Sequence, residues 1–461
     1  MSQTTEPAGL SQARTKMQQA EVYPAAIEAF SSYYRQLADG VTGIVAEDEI
    51  EPLSAPSSLA DIDLSDAERA AALSEVALIR LNGGLGTSMG MTGPKSLLPV
   101  RGEETFLDLI VEQVLHARRT YDVAMPLVLM DSFRTRQPTL AHLERHPEIT
   151  VDGIPLDFLQ SQEPKLLAED LTPAHWPADP ELEWTPPGHG DLYPSLRDSG
   201  VLQALLDAGF RYACVANVDN LGATPSPEIA AWFIDSDAPF AIEVCRRTAA
   251  DRKGGHLAVR RSDGRLVLRE SAQVRDADAD AFGDIHRHSY FNTNNLWLDL
   301  RKLAALLDQR DGVLGLPMIV NRKTVDPSDS QSPKVIQIET AMGSAIEAFE
   351  GAQVIEVPRS RFQPVKTTND LLVVRSDLYE RTEDGRLRAV TPEATNVDLD
   401  PKFYKLIKDF DARFPAGPPS LKGATAFTVR GDWTFGDRVV VIGDVVVDGP
   451  GGQVPDGTEL H

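Results

Sequence analysis

The sequence predicts an α/β protein: a mixed, largely parallel sheet flanked by helices, with a helical segment before it and a short β-helix after it. Three observations predict this. From about residue 75, short apolar runs at 76–81, 127–130, 213–218, 240–244 and 335–338 alternate with helical patterns. Runs of that length between turn residues suit strands buried on both faces. Ahead of them, Ile27, Phe30, Tyr33, Tyr34 and Leu37 recur at spacings of three and four, a helical stripe. Behind them, apolar residues recur every six positions after Pro418-Pro419.

Taken in order, residues 1 to about 20 are polar and expected to fray, and 49–66 reads as a Pro-punctuated extended connection. Residues 1–70 are therefore a helical lead-in without visible chemistry. Helical stretches at 105–118 and 227–235 separate the strand candidates of 71–375. In sheets of this kind ligands gather beyond the carboxyl ends of the strands, so the polar clusters that follow them are the places to search. In 376–461, Asp400-Pro401 supplies a helix start, with Asp as cap and Pro in the first turn. Phe403, Leu406, Ile407, Phe410 and Phe414 mark the apolar face of that helix. Leu421, Phe427, Trp433, Val439 and Val445 then share one six-residue register, and Val429, Phe435, Val441 and Val447 another. The alternative is an antiparallel hairpin pair, since six is a multiple of two.

At 461 residues the chain exceeds one compact core. Its 45 basic against 69 acidic residues give a net charge of −24, which argues against nucleic acid or an anionic membrane as partner. Cys214 and Cys245 are the only cysteines, too few for a disulfide framework or a cysteine-based zinc site. The sequence has no charged-then-apolar leader and no run of membrane-spanning length, so a cytoplasmic protein is expected.

The most informative segment is 81–96, LNGGLGTSMGMTGPKS, directly after the first strand candidate. Gly83, Gly84, Gly86, Gly90 and Gly93 let the backbone approach a ligand and aim N–H groups at phosphate oxygens. Pro94 stands where a Walker loop needs Gly before its Lys. Met89 stands where a dinucleotide fingerprint needs a small residue, and Gly90, Gly93 and Pro94 deny the helix that such a fingerprint opens. A flexible surface loop is the bland alternative, but such loops seldom end in Gly-Pro-Lys-Ser before an apolar run. Lys95, on a Gly-Pro corner, is the natural cation for this loop.

Four other constellations stand out. WTPPGHGDLYP (184–194) places His189 between two glycines, an unusual position for a core histidine. Gln160, in FLQSQEPK, carries a donor and an acceptor on one amide; the alternative is a surface Gln after a strand. Asn217-Val218-Asp219-Asn220 ends a strand candidate, where an acidic side chain suits a magnesium ion bridging phosphates, or alternatively forms an Asx turn. Arg359, Arg361 and Lys366 form a basic trio flanked by prolines, which reads either as a solvated face or as an anion site.

The 81–96 segment closely resembles the signature of the eukaryotic-type UTP–glucose-1-phosphate uridylyltransferases, and the resemblance extends from about residue 75 to the end. It implies a Rossmann-like nucleotidyltransferase sheet in 71–375 and a left-handed β-helix in 376–461. The implied substrates are UTP and glucose-1-phosphate, the products UDP-glucose and pyrophosphate, and the cofactor Mg2+ on Asp219. Nucleotide-binding roles fall on Leu81, Asn82, Gly83, Gly84, Gly86, Lys95, Gln160, Gly188 and Asp219. Sugar-phosphate roles fall on His189, Asn217, Glu243, Gly255, Asn294 and Lys366, with Lys95 and Lys366 catalytic. The sequence departs from the family at Glu163, where an aromatic is usual, at Lys165, where Arg is, and at Cys245-Arg246-Arg247, where Thr-x-Lys is frequent. The rivals are a uridylyltransferase for another sugar-1-phosphate, a non-catalytic scaffold and, more weakly, a hexapeptide-repeat acyltransferase. A homo-oligomer through the C-terminal domain is a further expectation.

Overall fold

The computed structural model describes residues 7–391 and 394–461. Its chain divides into two compact units, one of Met1–Ile79, Val151–Val215 and Pro227–Val357, the other of Arg80–Thr150, Ala216–Ser226 and Pro358–His461.

The first unit holds most of a large mixed sheet. Its strands run in the order Ser57–Ser58, Gln353–Glu356, Phe240–Arg246, Tyr290–Asp299, Tyr212–Asn217 and Val76–Asn82. Phe240–Arg246 pairs parallel with Gln353–Glu356 and antiparallel with Tyr290–Asp299. The last two strands run in one direction, since the Tyr212 N–H bonds Glu75 at one end and the Val218 N–H bonds Leu81 at the other. Ala77, Leu78, Ile79, Val215 and Ala216 are wholly buried, as strands covered on both faces require. The 335–338 run belongs instead to a separate antiparallel set, in which Lys334–Thr340 pairs with Met318–Thr324.

Of the polar start expected to fray, residues 1–6 lie outside the described part. Ala8–Gln19 is not frayed: it forms a helix whose Leu10, Ala13 and Met17 pack with Phe30, Tyr33 and Tyr34 of the Pro24–Ala38 helix. The small number of apolar residues at 8–19 hid that stripe, although three of them suffice for one buried face.

In the second unit, Phe106–Tyr121 is capped by a reciprocal pair of bonds between Thr105 and Asp108. The expected single helix after Asp400 is broken into Pro401–Tyr404 and Ile407–Arg413, which leaves Leu406 44% exposed. Asp400 does cap the first piece, accepting from the Lys402 N–H at 3.0 Å. Beyond it the strand pairings are parallel: Phe427 meets Val445 and Val429 meets Val447, so the chain returns to register after three six-residue steps. Phe427, Phe435, Val439 and Val441 are wholly buried inside these coils. Phe435 stacks on Phe414 at 5.0 Å, and the Trp433 indole N–H donates to the Arg430 carbonyl at 3.0 Å. Both aromatics are thus used within the unit.

Candidate functional site

The Val76–Asn82 strand ends in the Gly-rich loop. Leu81 is half-buried and accepts the Val218 N–H through its carbonyl. Asn82 is wholly buried, and its amide donates to Asp131 at 2.6 Å and Thr139 at 2.9 Å. That side chain fastens the loop to its neighbours, so only its backbone is free to meet a ligand. Gly83 leads into an exposed Gly84, and the Lys95 N–H bonds back to the Gly84 carbonyl at 3.1 Å. Gly86 and Gly90 sit at φ +62 and +72, where a side chain would be strained. Gly84 differs: its φ is not positive, and a Cβ there would meet nothing within 4 Å. Neither backbone nor packing requires glycine at that position.

At the end of Tyr212–Asn217, half-buried Asn217 accepts the Asn220 N–H at 3.1 Å and opens a turn. Asn220 forms the Asx bond, accepting from the Gly222 N–H at 3.2 Å, so Asp219 is spared that task. Its carboxylate takes the Lys95 ammonium, with both side chains about one-seventh exposed. Once Lys95 moves off it, Asp219 could give magnesium one protein carboxylate, with substrate and water oxygens filling the rest of its sphere.

The 358–366 segment packs on the same turn. The Val365 N–H donates to the Asp219 carbonyl at 3.3 Å, and the Gln363 N–H to Asn220 at 2.8 Å. Of the basic trio, Arg361 is buried and donates to the Thr224 carbonyl, while Arg359 lies over the Phe362 ring. Lys366 alone is exposed with no ion-pair partner among the described residues, and its carbonyl accepts from the Ser88 hydroxyl of the Gly-rich loop at 3.5 Å. The trio is therefore one free cation and two braces.

In the first unit, Gln160 directly follows Asp157–Leu159 and is half-buried. Gly188 has φ +80, and a Cβ on it would stand 2.5 Å from the Thr340 carbonyl oxygen and 2.8 Å from its nitrogen. The loop is held there by the Thr340 N–H on the Pro187 carbonyl at 3.0 Å. Next to it, His189 Nδ1 accepts the Met342 N–H at 2.8 Å, and burial pulls the imidazole down to about 4. The ring is neutral at pH 7 and carries its proton on Nε2, a fixed donor. Asp191, which sequence reasoning missed, accepts from the Ser161 N–H and hydroxyl at 2.6 Å and from Ser195 at 2.7 Å. Burial pushes its carboxyl up to about 6, although those bonds favour the ionised form.

Asn294 stands at φ +58 in Tyr290–Asp299, and its Oδ1 accepts from the Asn292 amide at 2.8 Å. A register shift opposite, between Glu243 and Val244, accommodates the kink. Glu243 is wholly buried, taking the Asn295 amide at 3.1 Å and the Trp297 indole at 3.0 Å. Its visible work is to hold the Asn run in place. Gly255 accepts the Asn292 N–H at 3.0 Å, and a Cβ there would strike the Glu270 carboxylate. Where the sequence departs from the family, Lys165 is buried on the Val325 carbonyl, and Arg247 ties together the carbonyls of Phe282, Asp251 and Arg252. Glu163 is buried, which pushes its carboxyl well above the usual range.

A family model described as UTP–glucose-1-phosphate uridylyltransferase matches residues 27–442. A protein of that name from Hordeum vulgare is 42% identical over 398 residues, 85% of this chain and 81% of its own length. A mutant UDP-glucose pyrophosphorylase from Leishmania major, solved in complex with UDP-glucose, is similar at TM-score 0.91 and 40% identity, covering 99% of this chain and 98% of that one. A structure described as UDP-glucose phosphorylase from Trypanosoma brucei is similar at TM-score 0.88 and 41% identity, covering 98% and 99%.

Proposed function

The chain belongs to the UTP–glucose-1-phosphate uridylyltransferase family, and from that premise we propose how its residues perform the reaction. The enzyme joins glucose-1-phosphate to UTP, giving UDP-glucose and pyrophosphate. In our reading this is a single in-line displacement, in which a phosphate oxygen of glucose-1-phosphate attacks the α-phosphorus of UTP. That oxygen is already ionised at neutral pH, so no general base is needed, and a neutral His189 is consistent with this. The burden falls on positioning two anions and on neutralising the leaving group.

The observation that carries the reading is the Lys95–Asp219 contact at the mouth of the Gly-rich loop. Asp219 would hold a magnesium ion, which when bound adds positive charge at the phosphates. Lys95, freed from Asp219 as phosphates arrive, and Lys366 supply the two ammonium groups. Leu81, Asn82, Gly83, Gly84 and Gly86 offer backbone to the nucleotide, and Gln160 and Gly188 read the base. His189 Nε2–H, Asn217, Gly255 and Asn294 serve the sugar-phosphate, with Glu243 holding the neighbouring Asn295. We take 71–375 as the catalytic domain, 1–70 as its lead-in and 376–461 as a left-handed β-helical domain, a reading the parallel three-step coils support.

The test is pyrophosphate release with UTP, glucose-1-phosphate and Mg2+, omitting each in turn. Loss of release on every omission is expected, and release without glucose-1-phosphate or without Mg2+ would refute the scheme. A panel of other sugar-1-phosphates sets its breadth. Self-association through the coils would use exposed Ile442 and Val446 rather than Trp433 and Phe435, and sedimentation of Val446→Asp tests it. Among the described residues no helix is long and apolar enough to cross a membrane, and a cytoplasmic location remains our reading.

A further inference from the structure

In the second unit, on residues assigned no part in the reaction, two imidazoles converge on one carboxylate oxygen. Asp108 stands in the first turn of Phe106–Tyr121, where its Oδ2 accepts the Thr105 N–H and hydroxyl at 2.9 and 2.8 Å. Its Oδ1 is turned the other way. His142, in Arg136–Leu143, and His146, four residues on, each bring Nε2 to 2.8 Å from that same oxygen. The three donor atoms lie within 4.8 Å of one another, and the side chains are 10%, 12% and 23% exposed. The cluster is enclosed by protein but not sealed.

We propose that Asp108, His142 and His146 form a second divalent-metal site, which takes a nitrogen-preferring transition ion such as Zn2+. Two imidazoles and one carboxylate make a three-ligand protein set for zinc, with water in the fourth position. Magnesium, which demands oxygen donors and a near-ideal octahedron, is poorly served by the same set. Binding needs little rearrangement. The ion takes the place of the protons between the two Nε2 atoms and Oδ1, and each bound ring then carries its one proton on Nδ1. For His146 a partner stands near that nitrogen, since Glu148 Oε1 lies 3.9 Å from Nδ1 and would orient the ring once it carries a proton. The thiols cannot compete, because Cys214 and Cys245 are both buried.

The site has a structural consequence. The helix that carries His142 also carries Thr139, one of the two groups that grip the Asn82 amide at the start of the Gly-rich loop. An ion that fastens Arg136–Leu143 to Phe106–Tyr121 therefore steadies an anchor of the phosphate loop without touching substrate. Its role is that of a brace.

The test uses the full-length protein, stripped with a chelator and kept in saturating Mg2+, then titrated with Co2+ and Zn2+. One Co2+ should bind per chain with the intense visible absorption of a four- or five-coordinate, nitrogen-ligated ion, and Zn2+ should displace it and raise the unfolding midpoint. In the double variant His142→Gln/His146→Gln the amides still donate to Asp108, so its metal-free unfolding midpoint and its Mg2+-supported turnover should match the parent. Its Zn2+ affinity should fall by at least about tenfold and the cobalt absorption should vanish. If the double variant does not fold, the single His146→Gln variant gives the same readout. Only weak, octahedral-type cobalt absorption in the parent, or equal Zn2+ affinity in parent and variant, would overturn the proposal.

Discussion

Lys366 and His189 show how much a single side chain's surroundings decide. Lys366 is exposed and has no ion-pair partner among the described residues, so truncating it should break no ion pair of the folded state. Lys366→Ala should lower turnover by more than about a hundredfold, through lost charge neutralisation, while stability changes by no more than about 0.5 kcal/mol. Steady-state kinetics beside a urea melt check both halves. His189 and Asp191 make opposite contributions to the pH dependence of stability. With the imidazole held at about 4, the unfolded chain binds its proton more readily up to about 6.5, so this contribution is complete above that pH and is lost as pH falls toward 4. With the Asp191 carboxyl raised to about 6, the folded chain holds the extra proton, and stability falls as pH rises from about 4 to 6. Across that window the two slopes oppose each other. His189→Gln should expose a decline in urea midpoint with rising pH, and Asp191→Asn a rise. Identical slopes in parent and both variants would mean that neither group is perturbed. None of this was legible in the sequence, which marks His189 by its glycines but cannot show that Nδ1 is taken by the Met342 N–H. Asn82 and Glu243 teach the converse. The resemblance names them as ligand residues, yet their side chains are wholly buried and engaged within the fold.

At the scale of elements, the Gly-rich loop and the His189 loop both use glycine, for different physical reasons, and substitution separates them. Gly84→Ala adds a methyl group to open space at an ordinary φ, so the unfolding midpoint should hold or rise slightly. Its cost should appear in the KM for UTP, because the methyl occupies the space where phosphate is expected to approach the backbone. Gly188→Ala forces φ +80 on a side chain whose Cβ would stand 2.5 Å from the Thr340 oxygen. It should destabilise the fold by about 1–3 kcal/mol, and any weakening of UTP binding should accompany that loss. Thermal melts and UTP titrations of the pair decide it, and a destabilised Gly84→Ala would remove the ligand-approach argument. The sequence reveals such elements unevenly. The 227–235 helix and the strand candidates were legible because their apolar periods are unbroken, and the helix appears as Pro227–Asp235. The six-residue repeat was legible because most of its positions are buried, as Phe427 and Val445 are, although Trp433 and Val447 are only half-buried. The break at Leu406 was not, since an apolar residue in register reads as buried until the chain turns it outward.

The whole molecule carries a net charge of −24 and acts on anions, so its far field and its local groups oppose each other. Composition made the far field legible, but it could not show how few cations remain uncommitted near the Gly-rich loop. Of the lysines and arginines in 357–371, Arg359 and Arg361 are engaged within the fold and Lys366 is the exception. In the proposed scheme the attraction for substrate is short-ranged and concentrated on Lys95, Lys366 and an ion on Asp219, whereas the repulsion is summed over the entire surface. Salt acts differently on the two. Raising ionic strength from about 0.01 M to 0.1 M shortens the screening length from about 30 Å to 10 Å, which removes most of the surface repulsion. Contacts within a few ångströms of the phosphates, partly shielded from solvent, are screened much less. Long-range repulsion should therefore fade first, and kcat/KM for UTP should rise over that range at fixed free Mg2+, the opposite of an enzyme that steers its anion with a basic surface. A monotonic fall would show that attraction near the loop reaches further than three local charges can, and that the acidic surface lies turned away from the path of the nucleotide.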